Sequence, residues 1–187
     1  MQTRFSAPTL PTLLTLLTFF SALLGCATDK TAGPQERHVA ARDLFERTAK
    51  LYHLPSAQAQ GAERTTLLQQ AAAGYEELLR RYPDQQGWCA QALRSLGNVR
   101  TEQGRLDDAV RLYDRVAERY PRQDWEVLQA WKSAADLLWD AGRRAEAKAF
   151  YQKVVDRFDT ASAPAVVKAA LRGSKVRLAD DASKSLF

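Results

Sequence analysis

The chain has 187 residues, with 27 Lys and Arg against 22 Asp and Glu, and a formal net charge of +5. This length predicts one domain, and the mild, dispersed charge does not indicate a nucleic-acid interface, which needs basic residues clustered on one face. Two cysteines exclude a disulfide scaffold and a cysteine-only metal cluster. We therefore expect no nucleic-acid partner, no metal and no cofactor.

Residues 1–25 are predicted to be a lipoprotein signal peptide. Residues 10–24 are apolar or small and carry no charge; this run is shorter than a membrane span and is typical of a signal-peptide core. It leads into Leu-Leu-Gly-Cys at 23–26, which resembles the bacterial lipobox. The resemblance implies that the Cys26 thiol is alkylated by diacylglycerol and that the chain is cut before it. An ordinary signal peptide with a chance cysteine, or an uncleaved span, remains open.

Residues 26–36 are small and polar and predict a flexible tether between a lipid anchor and the folded part. Two or three acyl chains are enough for stable anchoring. Ala27 follows the cysteine, whereas in enteric lipoproteins an aspartate there favours the inner membrane. By this resemblance we expect an outer-membrane, periplasm-facing protein.

The rest of the chain carries an internal repeat of 38 residues. Its segments read YEELLRRYP, YDRVAERYP and YQKVVDRFD. The same or similar residues recur in register: Ala71, Ala109 and Ala147; Tyr75, Tyr113 and Tyr151; Arg81, Arg119 and Arg157. A fixed period of this length indicates a stack of similar units.

Each unit is predicted to be a pair of helices, giving seven helices in about 37–179. The first four helices are predicted at about 37–54, 62–82, 91–103 and 105–120, and the last at 163–179. Residues 54–62 are predicted to form a loop. Gly104 suits a left-handed helix end, Pro121 stops a helix, and Asp124 suits an N-cap.

The repeat resembles the tetratricopeptide repeat. The matching residues are Leu96, Gly97, Gly104, Ala109, Tyr113 and Pro121, then Trp131, Ala135, Gly142, Ala147 and Tyr151. The resemblance implies an all-α fold over residues 37–187, an α-α superhelix of three helix pairs plus a C-terminal capping helix. The pairs would span about 37–83, 88–121 and 125–159, with the capping helix at 163–179. Trp131 would be a core residue.

Little in the sequence predicts catalysis. Cys89 would need a histidine base within reach, but His38 and His53 lie far upstream. We expect a buried structural thiol, packing or surface histidines, and no enzyme activity. Trp88 and Trp125, near the starts of equivalent helices, are expected to pack between repeats.

The resemblance implies a concave groove, lined by the first helix of each pair, that binds extended peptides or partner helices. The candidate groove residues are Gln91, Arg94, Asn98, Thr101, Gln129, Lys132, Asp136 and Trp139. Arg94 and Asn98 resemble the cation and amide of the carboxylate-clamp subfamily, although Val167 and Ala170 replace the cations of the next repeat. An ordinary solvated polar face would show the same pattern.

The expected function is that of a membrane-anchored periplasmic scaffold that binds a protein or peptide in envelope or outer-membrane protein assembly. The chain resembles the lipoprotein scaffold of the outer-membrane β-barrel assembly machinery and the periplasmic repeat protein associated with the Tol–Pal system. The alternatives are a cell-envelope enzyme, such as a wall hydrolase that uses Cys89, and a soluble co-chaperone.

Overall fold

The structure is a computed structural model that describes residues 32–180. The predicted signal peptide, Cys26 and most of the predicted tether lie outside the described residues. The described part consists of helices and short connections and contains no strand. Its seven helices are α1 (Pro34–Thr48, continued by a π-helical segment Ala49–His53 and a last turn Leu54–Ser56), α2 (Gly61–Arg81), α3 (Gln86–Glu102), α4 (Leu106–Arg119), α5 (Asp124–Asp140), α6 (Arg144–Phe158) and α7 (Ala165–Ala179).

The helices form three stacked antiparallel hairpins, α1–α2, α3–α4 and α5–α6, followed by α7, and the predicted all-α superhelical fold is confirmed. The second helix of each hairpin also packs against the first helix of the next element. Successive first helices touch as well, α1 against α3 and α3 against α5. One apolar core runs from α1 to α5, and two smaller clusters join α5, α6 and α7.

Each hairpin buries one tyrosine of its second helix, and a polar side chain of the first helix binds the hydroxyl. The pairs are His53 with Tyr75 at 3.0 Å, Asn98 with Tyr113 at 2.8 Å and Asp136 with Tyr151 at 2.6 Å. Burial raises the pKa of all three hydroxyls, that of Tyr75 to about 12. These bonds satisfy groups that would otherwise be buried without a partner.

Glycine permits the closest helix contact of the second hairpin. A Cβ atom on Gly97 would lie 2.5 Å from Cε1 of Tyr113, closer than packed carbon atoms approach. The connections within the second and third hairpins use glycine differently: Gly104 and Gly142 have φ of +73° and +77°. This left-handed conformation, predicted for Gly104, favours glycine because it lacks a Cβ atom.

Helix α1 begins earlier and ends later than predicted. It starts at Pro34, inside the predicted tether, because proline is favoured at the first helical position. The Glu36 carboxylate accepts a hydrogen bond from the Gly33 N–H at 3.0 Å and fixes this start. At the other end the π-helical segment carries the helix to Ser56, so part of the predicted loop 54–62 is helical.

Two other details differ from the prediction. The N-cap of α5 is Gln123, and the Asp124 carboxylate instead accepts a hydrogen bond from Arg157 at 2.7 Å. Trp131 is only partly buried, because its indole N–H donates to Asp114 at 2.9 Å near the protein surface. The predicted pairs 37–83, 88–121 and 125–159 correspond to hairpins at 34–81, 86–119 and 124–158, and the predicted capping helix starts at Ala165.

Candidate functional site

The first helices of successive hairpins lie side by side and form the concave face, and predicted groove residues line two of the cavities along it. The amino-end cavity, of about 410 Å³, lies at the starts of α3 and α5 beside α1. The carboxyl-end cavity, of about 350 Å³, lies between the end of α5 and α7. The amino-end cavity is lined in part by His38, Asp84, Gln91, Arg122, Trp125 and Glu126. The carboxyl-end cavity is lined in part by Lys132, Asp136, Trp139, Tyr151 and Arg177.

Of the eight predicted groove residues, Gln91 lines the amino-end cavity. Lys132, Asp136 and Trp139 line the carboxyl-end cavity. The other four lie on α3 and α5 and line neither cavity. The structure therefore places half of the predicted set at openings large enough to receive a ligand.

An ion pair joins α3 to α5 across the concave face. The Arg94 guanidinium donates to the Glu126 carboxylate at 2.6 Å, and the two side chains are only 21% and 15% exposed. A charge-assisted hydrogen bond of this length neutralises both groups. The carboxylate-clamp resemblance implied an Arg94 that is free to bind a peptide carboxylate. In the structure Arg94 is instead paired within the chain.

Asn98 and Thr101 are engaged in packing as well. The Tyr113 hydroxyl donates to Asn98 Oδ1 at 2.8 Å, and Thr101 Oγ1 lies 3.2 Å from the same hydroxyl. Thr101 also donates to the Gly97 carbonyl, four residues earlier in its helix. Both side chains therefore hold α4 against α3.

Trp139 was expected to present its ring to the groove, but it is only 7% exposed. The Arg144 and Arg177 guanidinium groups lie over the ring, 3.9 and 4.5 Å from its centroid, and such cation–π contacts stabilise the buried position. Beside it, Lys132 forms an ion pair with Asp136, which also accepts the hydrogen bond from Tyr151. The carboxyl-end cavity thus has an edge of paired charges rather than an open aromatic surface.

Gln91 and Gln129 are the predicted groove residues with no hydrogen bond among the described residues, and both are partly exposed. They lie at equivalent positions of α3 and α5, which contact each other. A carboxamide carries donors and an acceptor. Two such groups on adjacent helices are suited to the peptide groups of an extended chain.

The rim of the amino-end cavity carries two exposed side chains, Trp125, which was predicted to pack between repeats, and Arg122, for which no role was predicted. Trp125 is 46% exposed there, and Arg122 is exposed with no hydrogen bond or ion pair among the described residues. Trp88 instead packs beside His38 and Phe45, and its indole N–H is buried without a partner. The sequence does mark this rim, because a tryptophan follows each of the turns at Pro83 and Pro121. Packing between repeats explains Trp88 but not Trp125.

Cys89 and His53 occupy structural positions. Cys89 is fully buried, its thiol donates to the Tyr82 carbonyl at 3.1 Å, and burial raises its pKa. His53 bonds Tyr75 through one ring nitrogen and lies 3.0 Å from Glu102 through the other, which ties α1 to α2 and α3. Within residues 32–180 no group of three His, Cys, Asp or Glu is placed to hold a metal ion, and no helix is long and apolar enough to span a bilayer.

Residues 88–160 match the family model described as tetratricopeptide repeat. This segment covers most of α3 and all of α4, α5 and α6, the second and third hairpins, and includes all eight predicted groove residues. The curated proteins contain no match to the chain.

Proposed function

We propose that this chain, which carries tetratricopeptide repeats over residues 88–160, is a lipid-anchored scaffold of the bacterial envelope that holds an extended segment of a partner protein along its concave face. The repeat family supports the coarser part, an interaction scaffold for proteins. The envelope location and the anchor are supported by the resemblance of residues 23–26 to the lipobox.

The placement of the two cavities and of Gln91 and Gln129 supports an extended segment as the ligand. The two cavities lie near opposite ends of the face, and Gln91 and Gln129 offer free carboxamides on the adjacent helices α3 and α5. A surface with free carboxamides and separated cavities suits a chain that binds through its backbone and places side chains in the cavities. The exposed ring of Trp125 offers apolar contact at one end.

Site-specific photo-crosslinking in intact cells tests the concave face. A photoreactive amino acid is placed at Gln129 or, as a matched control, at Gln69, an exposed glutamine of α2. We expect one discrete adduct from Gln129, lost when Gln91 is replaced by Glu, and none from Gln69. Equal adducts from both positions, or none from Gln129, would contradict the proposal.

The anchor is tested separately. Mass spectrometry of the mature chain should show a diacylglyceryl group on Cys26, and Cys26→Ser should move the protein from the membrane fraction to the soluble fraction. A mature protein with a free Cys26 thiol would contradict the lipid anchor but would not test the binding of a partner to the concave face.

A further inference from the structure

Within residues 32–180, nothing covers one face of helix α7, although the equivalent face of α5 is largely buried. With the 38-residue register, Val166, Ala169, Gly173 and Val176 of α7 correspond to Leu128, Trp131, Ala135 and Leu138 of α5. In α5, Leu128, Ala135 and Leu138 are at most 1% exposed. In α7, Val166 and Val176 are 56% and 61% exposed, and the two small residues between them are exposed as well.

In α3 and α5 a tyrosine of the following helix covers this face. Tyr113 packs directly on Gly97, and Tyr151 lies in one apolar cluster with Ala135 and Leu138. At the third equivalent position, a Cβ atom on Gly173 would have nothing within 4 Å. Glycine inside a helix is unfavourable by about 1 kcal/mol relative to alanine. No contact among the described residues requires a glycine at position 173.

A second observation concerns Ser174, the equivalent of Asn98 and Asp136. Those two side chains each accept a hydrogen bond from the tyrosine hydroxyl of the following helix. Ser174 is fully buried, and its Oγ has no hydrogen-bond partner among the described residues. A buried hydroxyl without a partner is unfavourable by about 1–3 kcal/mol. Ser174 shows that, within the described part of the chain, the tyrosine hydroxyl of a following helix is missing at this register position, but at 0% exposure it is out of reach of a docked helix.

The charge around the face selects the partner. Helix α7 carries Lys168, Arg172, Lys175 and Arg177 and no acidic residue. Lys168 donates to the Ala161 carbonyl, Lys175 pairs with Asp159, and Arg177 lies over Trp139. Arg172 is exposed and makes no hydrogen bond or ion pair among the described residues. Two α7 helices packed together would bring two helices with excess positive charge against each other, whereas an acidic helix would complement that charge.

We propose that this α7 face, defined by Val166, Ala169, Gly173 and Val176, docks an acidic amphipathic helix of a partner protein. The helix takes the place that α4 and α6 hold against α3 and α5. An aromatic residue of that helix covers Gly173. The inference is distinct from the extended segment in the concave groove, since it concerns a helix. Gly173 also lines the carboxyl-end cavity, but Val166, Ala169 and Val176 do not.

The probe is a labelled, end-blocked peptide with the sequence of α4, Leu106–Arg119, in which R111E and R115E make it acidic. Fluorescence anisotropy measures its binding to the intact chain. We expect saturable binding that weakens as salt is raised, and that weakens at least tenfold when Tyr113 of the peptide is replaced by Ala.

The protein variant A169E/V176E places two carboxylates on the α7 face, and both sites are exposed, so the helical circular dichroism should not change. This variant should bind the peptide at least tenfold more weakly. The matched control, Leu54→Glu, removes an exposed apolar side chain of α1, which is 69% exposed, and should bind as the unaltered chain does.

Three outcomes would overturn the proposal. The first is the absence of peptide binding. The second is binding that A169E/V176E leaves unchanged, which would place the peptide elsewhere. The third is a dimer in sedimentation velocity that the same variant dissociates, which would make a second copy the occupant.

Discussion

Replacing Gly97 by Ala tests the closest helix contact of the second hairpin, where two effects of known size oppose each other. Alanine in place of glycine stabilises a helix interior by about 1 kcal/mol. At Gly97, however, the added Cβ would lie 2.5 and 2.8 Å from two ring carbons of Tyr113. Overpacking of this kind destabilises by about 1–3 kcal/mol.

The ring of Tyr113 cannot move aside freely, because its hydroxyl is hydrogen-bonded to Asn98 and Thr101. We therefore expect Gly97→Ala to lower the free energy of unfolding by about 1 kcal/mol, the difference of the two effects. Gly173→Ala is the matched control at the equivalent helix position. With nothing within 4 Å of its Cβ, it should raise the free energy of unfolding by up to about 1 kcal/mol.

Urea denaturation followed by circular dichroism measures both variants, and the comparison is valid if the slope with urea is unchanged. Tyr113→Phe in the Gly97→Ala background should recover part of the stability by releasing the ring. If Gly97→Ala stabilises the chain as much as Gly173→Ala does, the ring gives way without penalty. The reasoning from close contact would then be wrong.

Three further predictions concern titration, thiol reactivity and the ion pair of the concave face. Burial raises the pKa of Tyr75 from 10.0 to about 12, so the stability that the neutral hydroxyl contributes is complete below pH 10 and decreases as the pH rises toward 12. Tyr75→Phe should make the fall of the urea midpoint with pH shallower. If the midpoint falls equally steeply with pH in both proteins, the buried hydroxyl is not responsible. Cys89 should react slowly with iodoacetamide in the folded chain and rapidly in urea, with peptide mapping to separate it from Cys26; fast labelling of the folded chain would revive the enzyme alternative. Arg94→Met leaves the Glu126 carboxylate, 15% exposed, without its partner and should destabilise the chain by about 1–3 kcal/mol, whereas Arg94→Met/Glu126→Leu should recover most of this; equal stability of the two variants in urea would show that the pair is not coupled.

The repeat made the fold predictable from the sequence. Alanine, tyrosine and glycine recur at one period because the same helix crossings recur, so aligning the chain on itself located the hairpins. The first hairpin was predicted least well. Its π-helical segment at Ala49–His53 has no counterpart in the other repeats, and the start at Pro34 depends on the local Glu36 cap rather than on the repeat.

The groove was predicted only in part, because helical periodicity shows which residues share a face but not which of them are already bonded. Arg94 and Trp139 are both engaged within the chain. Their partners, Glu126 and Arg177, come from neighbouring helices and cannot be read from the spacing within one helix. The uncovered face of α7 could have been found by extending the register one repeat further and asking what covers Gly173.

The start of α1 has a consequence for how far a bound partner can be from the lipid surface. Arg37 donates to the carboxylate of Asp84 and to the Arg81 carbonyl, which fastens the first turn of α1 to the turn before α3, beside His38 and the amino-end cavity. With Cys26 lipidated as proposed, the eight residues before Pro34 can span at most about 29 Å from the lipid surface. This maximum distance is about the thickness of the hydrocarbon layer of a bilayer. A partner seated in the amino-end cavity would therefore travel with the membrane surface and could not be delivered across a wider gap.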